Sequence, residues 1–310
     1  MVGLAPIVGC AIHNFETPRP ENRSRSARTL NLELVRDSGR RIELERAIDP
    51  DARDLVMRGW AWFYRPGSKA RLQEARTNFE RALEVDPRSV DARIGIATTL
   101  LSNISSGWSS SAQQDKARAE HLLLEALEQD TNRSMAHVAM GILRRLQHRL
   151  SESKMEFETA IALDRNNARA IFQLGQTMMW LGQPDAGIPL LEKAIRLNPH
   201  DPTLASHYAM LGSCHLLLGH VDQALDLLRK ARAENPRTYY IHLWLAGALG
   251  FKGDIDEAKA ALAQSLKLNP EINSLAAQRA HAPYHANPLL WALREKTLNV
   301  GLRRIGFPEE

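Results

Sequence analysis

The sequence predicts an all-α solenoid of about six stacked helix hairpins, and three observations carry that expectation. Asn198-Pro199, Asn235-Pro236 and Asn269-Pro270 each close an apolar-periodic segment, with prolines 37 and 34 residues apart. Gly182, Gly219 and Gly253, in Leu181-Gly182-Gln183, Leu218-Gly219-His220 and Lys252-Gly253-Asp254, each stand seventeen residues before one of those prolines. The segments between are amphipathic at spacings of three and four, as in Ala224, Leu227, Leu228 and Ala231 or Ala258, Ala261, Leu262 and Ser265. Proline cannot continue a helix and restricts the residue before it, so each Asx-Pro pair ends one helix. Glycine in the left-handed conformation ends the other, and the two helices form a hairpin. Small residues fall where the helices must cross: Gly175, Gly212 and Ala246 each lie twelve residues ahead of Gly187, Ala224 and Ala258.

Over this 34-residue period the order Leu-Gly, Ala, large apolar residue, Ala, Asp/Asn-Pro resembles the tetratricopeptide repeat (TPR). Aligned on it, residues 51–272 divide into units of about 52–88, 89–133, 134–167, 168–201, 204–238 and 239–272. The last three match well; the third carries Gly141, Phe157, Ala160 and Asp164 without the closing proline. The first, closed by Asp86-Pro87, inserts about four residues around Arg65-Pro66-Gly67-Ser68. The second inserts about a dozen around Ser102 to Gln114, where the Ser-rich Ser105 to Ser111 with Gly107 and Trp108 reads as a mobile loop. Ahead of the units, residues 29–50 read as a lead-in helix and residues 1–28 as an irregular tail. Behind them, residues 273–310 form a C-terminal cap, with one helix over 288–304 packing on the last unit through Leu290, Leu293, Leu298 and Leu302. An open solenoid end exposes an apolar face and needs such a cover.

The resemblance implies a right-handed solenoid whose first helices line a concave face, and a non-catalytic scaffold that holds a protein or peptide segment there. In the fourth unit that face should carry Arg169, Phe172, Gln173, Gln176, Met179 and Trp180; in the sixth, Tyr240, Leu243, Trp244 and Gly247. Aromatic residues beside amides suit a groove for an extended peptide or a helix. Trp180 and Trp244 would equally serve as packing against the next unit. TPR domains that clamp the C-terminal carboxylate of heat-shock chaperones place Lys and Asn where this chain has Phe172 and Gln176, or Val138 and Ile142. A more apolar ligand is therefore expected. The flanking phrases Arg28 to Val35, Asp54 to Gly59, Trp291 to Thr297, Gly301-Leu302-Arg303 and Gly306-Phe307-Pro308 are similar to the C-terminal TPR half of bacterial class III adenylate cyclases. That resemblance implies a regulatory module, either stand-alone or the partner of a separately encoded catalytic domain. No segment has the length or strand pattern for the cyclase domain itself.

Composition fits a binding role. A hydrophobic fraction of 44%, a charged fraction of 25% and a net charge of +4 describe a folded chain with interspersed charges. Nucleic-acid binding is not expected, and Arg19, Arg23, Arg25 and Arg28 read as a solvated tail. Cys10 and Cys214 are too isolated for a disulfide framework and point to a reducing compartment, the cytoplasm. No apolar run is long enough for a membrane span. Ile7-Val8-Gly9-Cys10 resembles the cleavage box of bacterial lipoproteins, which would make an envelope scaffold anchored through Cys10, but its flanks lack the basic and apolar regions of a signal peptide. No phosphate-binding loop, dinucleotide fingerprint or metalloprotease motif occurs, so no catalytic residue, cofactor or metal is assigned. Among the eleven histidines, His137, His215 and His242 fall at packed positions. His207, Cys214, His215 and His220 are spaced too irregularly for one helix face, and Pro283 separates His281 from His285.

Overall fold

A computed structural model describes residues 51–65, 68–281 and 287–310 as fifteen α-helices without a strand. The expected tail, lead-in helix, Cys10, the Arg19–Arg28 cluster and Pro66-Gly67 lie outside the described residues. Six hairpins follow one another: α1 (Ala52–Phe63) with α2 (Lys69–Val85), α3 (Val90–Ser105) with α4 (Ala112–Gln129), α5 (Ser134–Leu146) with α6 (Leu150–Leu163), α7 (Ala168–Trp180) with α8 (Pro184–Leu197), α9 (Leu204–Leu217) with α10 (Val221–Glu234), and α11 (Tyr239–Lys252) with α12 (Ile255–Leu268). Three shorter helices follow: α13 (Leu275–His281), α14 (Pro288–Lys296) and α15 (Leu298–Arg304).

The punctuation works as hydrogen-bond chemistry. Some helix starts are capped by side chains that take up otherwise orphaned backbone N–H groups: Asp54 N–H donates to Asp51 Oδ1 at 2.8 Å and Ala170 N–H to Asn167 Oδ1 at 3.1 Å. At the closing turns of every unit but the fourth, where Asn198 Nδ2 donates to Asp201 Oδ2, the Asx side chain accepts from the backbone N–H two residues on. Asp86, Asn235 and Asn269 do so at 3.0, 3.0 and 3.2 Å. Asp130 and Asp164 make the same bond at 3.0 and 3.3 Å without a following proline, so units two and three close by the Asx turn alone.

Between the helices of a hairpin, Gly182, Gly219 and Gly253 adopt positive φ. Unit three puts His148 at the equivalent place with φ 64°, the one non-glycine residue in that region among the described residues. A side chain there costs roughly 1–2 kcal/mol. His148→Gly is expected to raise stability by about 1 kcal/mol, less than the full strain because glycine also frees the unfolded chain. A chemical-denaturation midpoint at or below wild type would contradict this.

Two expectations need correction. The Ser-rich stretch of unit two is the expected loop between helices, six residues from 106 to 111, but the other inserted residues lengthen the helices, α3 running to Ser105 and α4 starting at Ala112. Ser105 Oγ donates back to Leu101 O at 2.8 Å within α3, and Trp108 packs half-buried on the core, its backbone N–H donating to Asn103 O at 2.9 Å.

The C-terminal cap is not one helix over 288–304. Thr297, at φ −136° and ψ −88°, breaks it into α14 and α15, and α13 precedes them. Nor does it cover only the open end. α15 crosses α11 so closely that a Cβ at Gly301 would overlap the Gly247 carbonyl oxygen, and the Leu298 side chain occupies the space over Gly247. The apolar cover at the end comes from Ile272, Leu275, Ile305 and Phe307, with Leu275 N–H and Ala276 N–H donating to Pro308 O and Glu309 O at 2.9 Å. The chain end is thus folded back into the concave side.

Candidate functional site

The first helices of units three to six, the end of α3 with Gly107 and Lys116 of unit two, and the returning C-terminal segment enclose a groove of about 910 Å³. Of the residues expected on the concave face, Gln176, Met179 and Trp180 on α7 and Tyr240, Leu243 and Trp244 on α11 line it. α9 adds Ser206, Ala209, Met210 and Ser213 between them. This is the consequence of stacking: residues 34 apart on successive first helices share one face, as the Ser206 and Tyr240 hydroxyls, 2.9 Å apart, show.

Four expected residues serve elsewhere. Phe172 is buried and meets the His207 ring edge-on, the centroids 3.9 Å apart. Arg169 lies with its guanidinium 5.0 Å from the Phe63 ring of unit one. Gln173 stands one layer behind the groove, its Oε1 accepting from Arg145 Nη1 at 2.5 Å while Gln176 Oε1 accepts from the same nitrogen at 3.1 Å. The pair of amides holds the buried Arg145 guanidinium 4.8 Å from the Trp180 ring, where it joins the groove lining. Gly247 is covered by Leu298.

The C-terminal segment supplies what the sequence reading missed. Leu290 is 1% exposed and packs with Phe172, Met179, Trp180 and Leu211, and the start of α14 lies against the turn at Gly182. One helical turn on, Arg294 lines the groove at 3% exposure. Its guanidinium sits 4.9 Å from the Trp291 ring and 5.7 Å from Trp244, and Nε has no hydrogen-bond acceptor. Burial lowers its pKa to about 10. Gln278 of α13 also lines the groove, 5% exposed, with neither Oε1 nor Nε2 partnered. A rule that buried arginines mark function could not have selected Arg294, because its burial arises from a fold-back that no local pattern encodes.

The histidine and cysteine cluster is structural. Cys214 is fully buried, and desolvation pushes its thiol far up. His215 and His220 face each other with Nδ1 atoms 3.3 Å apart. Among the described residues no three His, Cys, Asp or Glu side chains come close enough to share a metal ion.

Two histidines shape the acid response in opposite senses. Burial holds His207 below its ordinary 6.5, so its contribution to stability is intact above about pH 6.5 and lost as the pH falls toward the folded value. His137 is raised by its hydrogen bond to Glu156 at 2.8 Å, so its contribution is intact below about pH 6.5 and lost as the pH rises through the folded value. His207→Leu is therefore expected to lose less stability than wild type between pH 7 and pH 5 in denaturant titrations; parallel curves would refute the assignment.

The architecture defines an α-solenoid of helix hairpins with a concave groove. Residues 166–233 and 215–282 match family models described as tetratricopeptide repeat. Residues 166–282 thus match tetratricopeptide repeats, and the hairpins before them are helix pairs of the same kind. Similar curated proteins include Cellulose synthase 1 operon protein C of Komagataeibacter xylinus, 26% identical over 201 residues, and Protein FlbA of Caulobacter vibrioides, 25% identical over 198 residues. Each match covers 64% of this chain but only 15% and 32% of the relatives. BBSome complex member BBS4 of Bos taurus is 27% identical over 135 residues, 44% of this chain and 25% of that protein.

Two solved structures share the fold. The APC/C hetero-tetramer Cut9-Hcn1 matches with a TM-score of 0.62 at 17% identity, over 88% of this chain and 48% of the other. The pilF protein of Pseudomonas aeruginosa matches with a TM-score of 0.54 at 20% identity, over 75% and 97%. Among the described residues no helix is long and apolar enough to cross a membrane.

Proposed function

We propose that this protein is a non-catalytic interaction scaffold that holds a peptide segment or helix of another protein in the concave groove. The observation that carries the reading is the groove itself: Trp180, Tyr240 and Trp244 from first helices two units apart, with Met179, Met210 and Leu243 between them, open onto one 910 Å³ space. Aromatic anchors and adaptable methionines on a rigid helical frame are what peptide grooves use. The similarity to a BBSome complex member, a protein that works in an assembly, agrees with that role.

The reading is tested by panning a random twelve-residue peptide display library on the full chain. Peptides selected on wild type are expected to bind a Met210→Lys, Trp244→Ala variant about tenfold or more weakly, and a Leu124→Ala variant, altered at an exposed side chain of the second helix of unit two, unchanged. Equal binding to all three proteins would remove the groove assignment.

A regulatory relation to class III adenylate cyclases, as stand-alone module or half of a split enzyme, is a second reading supported by the flanking phrases alone. Their residues have packing roles here: a Cβ at Gly59 would collide with the Phe79 ring, Gly301 admits α15 to α11, Gly306 turns at φ 83° and Phe307 is buried. Co-purification with a cyclase catalytic domain encoded beside it would favour this reading, and a neighbourhood without one would count against it.

A further inference from the structure

Arg294 poses a problem that its own fold does not solve. A buried cation is ordinarily paired, since its desolvation is not recovered otherwise. Arg294 is 3% exposed, and among the described residues its surroundings offer two indole faces and no carboxylate. Glu295, its neighbour in sequence, is committed elsewhere: its Oε1 accepts from Asn299 Nδ2 at 2.8 Å and its Oε2 from Arg303 Nη1 at 2.6 Å. Ring faces return only part of what a guanidinium loses on leaving water. Gln278, equally buried in the same lining, leaves a donor and an acceptor unused. Two unpartnered polar groups on one wall are groups arranged for a ligand.

The charge around them gives that ligand a sign. Lys116 and Arg145 also line the groove, against Glu271 as the one acidic residue among the described lining residues. We propose that the groove takes an acidic peptide segment, one carboxylate of which accepts hydrogen bonds from the Arg294 guanidinium while the Gln278 amide meets the adjoining peptide group. The inference rests on the peptide-groove reading and adds the chemistry of the ligand. It places the cation on the C-terminal helix α14, not on the first helices of the repeats, so the anion site exists only while that segment is folded into the groove.

The experiment uses the full chain, Arg294→Met and Arg294→Lys, with the same peptide library. The wild-type pool is expected to be enriched severalfold in Asp and Glu. The best binder, synthesised beside its Gln/Asn counterpart, should lose about tenfold or more in affinity for wild type on that change. Arg294→Met should bind the two peptides alike, Arg294→Lys should keep part of the preference, and Arg294→Met should melt no lower than wild type, because an apolar side chain of similar length removes a buried unpaired charge. A neutral pool that still needs Met210 and Trp244 would overturn the acidic ligand and leave the groove reading standing. A pool that binds the groove variant equally well, or no enrichment at all, would overturn both. An acidic pool whose discrimination survives in Arg294→Met would move the carboxylate elsewhere, and a lower melting temperature with unchanged discrimination would reduce Arg294 to a packing role. Displacement of the peptide by a twenty-nucleotide single-stranded oligo-dT at comparable affinity would replace the acidic peptide with a nucleic acid and overturn the proposal.

Discussion

Phe79→Ala is expected to cost about 3–5 kcal/mol, the range for truncating a fully buried aromatic side chain, and to do so in one half of the molecule. Phe79 is 0% exposed, meets the Trp60 ring edge-on at 5.1 Å, and fills the space over both Gly59 and Gly95, so it joins units one and two as well as the helices of its own hairpin. No neighbour can collapse onto the void without moving α1 or α3. The core around Phe79 runs from Phe63 to Leu174, while units five and six and the C-terminal helices share a second core from Ala205 to Phe307. Stability in stacked repeats is close to a sum of local terms and nearest-neighbour interfaces. The loss should therefore appear as an early unfolding step in denaturant, with the later step unchanged. A single transition shifted as a whole would show that the two cores are coupled more tightly than their packing suggests.

Gly301→Leu is expected to be comparably severe at the other end. Even a Cβ at Gly301 would overlap the Gly247 carbonyl oxygen, and the obstacle is backbone on both sides, so no rotamer change relieves it. α15 would have to leave α11, and with it Leu298 and Leu302, both 0% exposed. Each such side chain contributes roughly 1.5–3 kcal/mol on burial, so a loss of about 3–5 kcal/mol is expected, less whatever contact the displaced helix recovers. Limited proteolysis should then cut residues 273–310 while units one to four stay protected. Because α14 carries Leu290 and Arg294, the same substitution should abolish any charge preference of the groove without touching its Trp180 and Tyr240. Wild-type protease resistance would contradict the fold-back.

These two sites also mark where sequence reading ends. The repeat was legible because its signals are local: proline stops, glycine in the left-handed conformation, and small residues twelve apart at a crossing. Unit three escaped the glycine signal because His148 pays the strain, and it closed without proline because Asp164 makes the Asx bond alone. Gln176, Met179, Trp180, Tyr240, Leu243 and Trp244 followed from the repeat applied to first helices, and Met210 and Ser206 follow from the same rule extended to unit five. Phe172 and Arg169, four and seven positions before Gln176, share its helix face by spacing, but toward the start of α7 that face meets other side chains, Phe172 the His207 ring and Arg169 the Phe63 ring.

The fold-back was not legible. Nothing in Leu290, Leu293, Leu298 and Leu302 distinguishes a helix lying on the open end from one lying in the concave face, since both bury the same leucines. The decision comes from a tertiary match between Gly301 and the Gly247 and Gly250 surface of α11. The expectation of an apolar ligand was built on first-helix positions alone, and Arg294 enters the groove from outside them.

The central claim, that the concave space between the first helices and the returning C-terminal segment is where a partner is held, is tested most directly by hydrogen exchange of the full chain with and without the best panned peptide. Added protection is expected in the segments around residues 176–180, 206–213, 239–244, 278–281 and 287–294, with the second helices α6, α8 and α10 unchanged; protection confined to those second helices, with none in the groove segments, would contradict it.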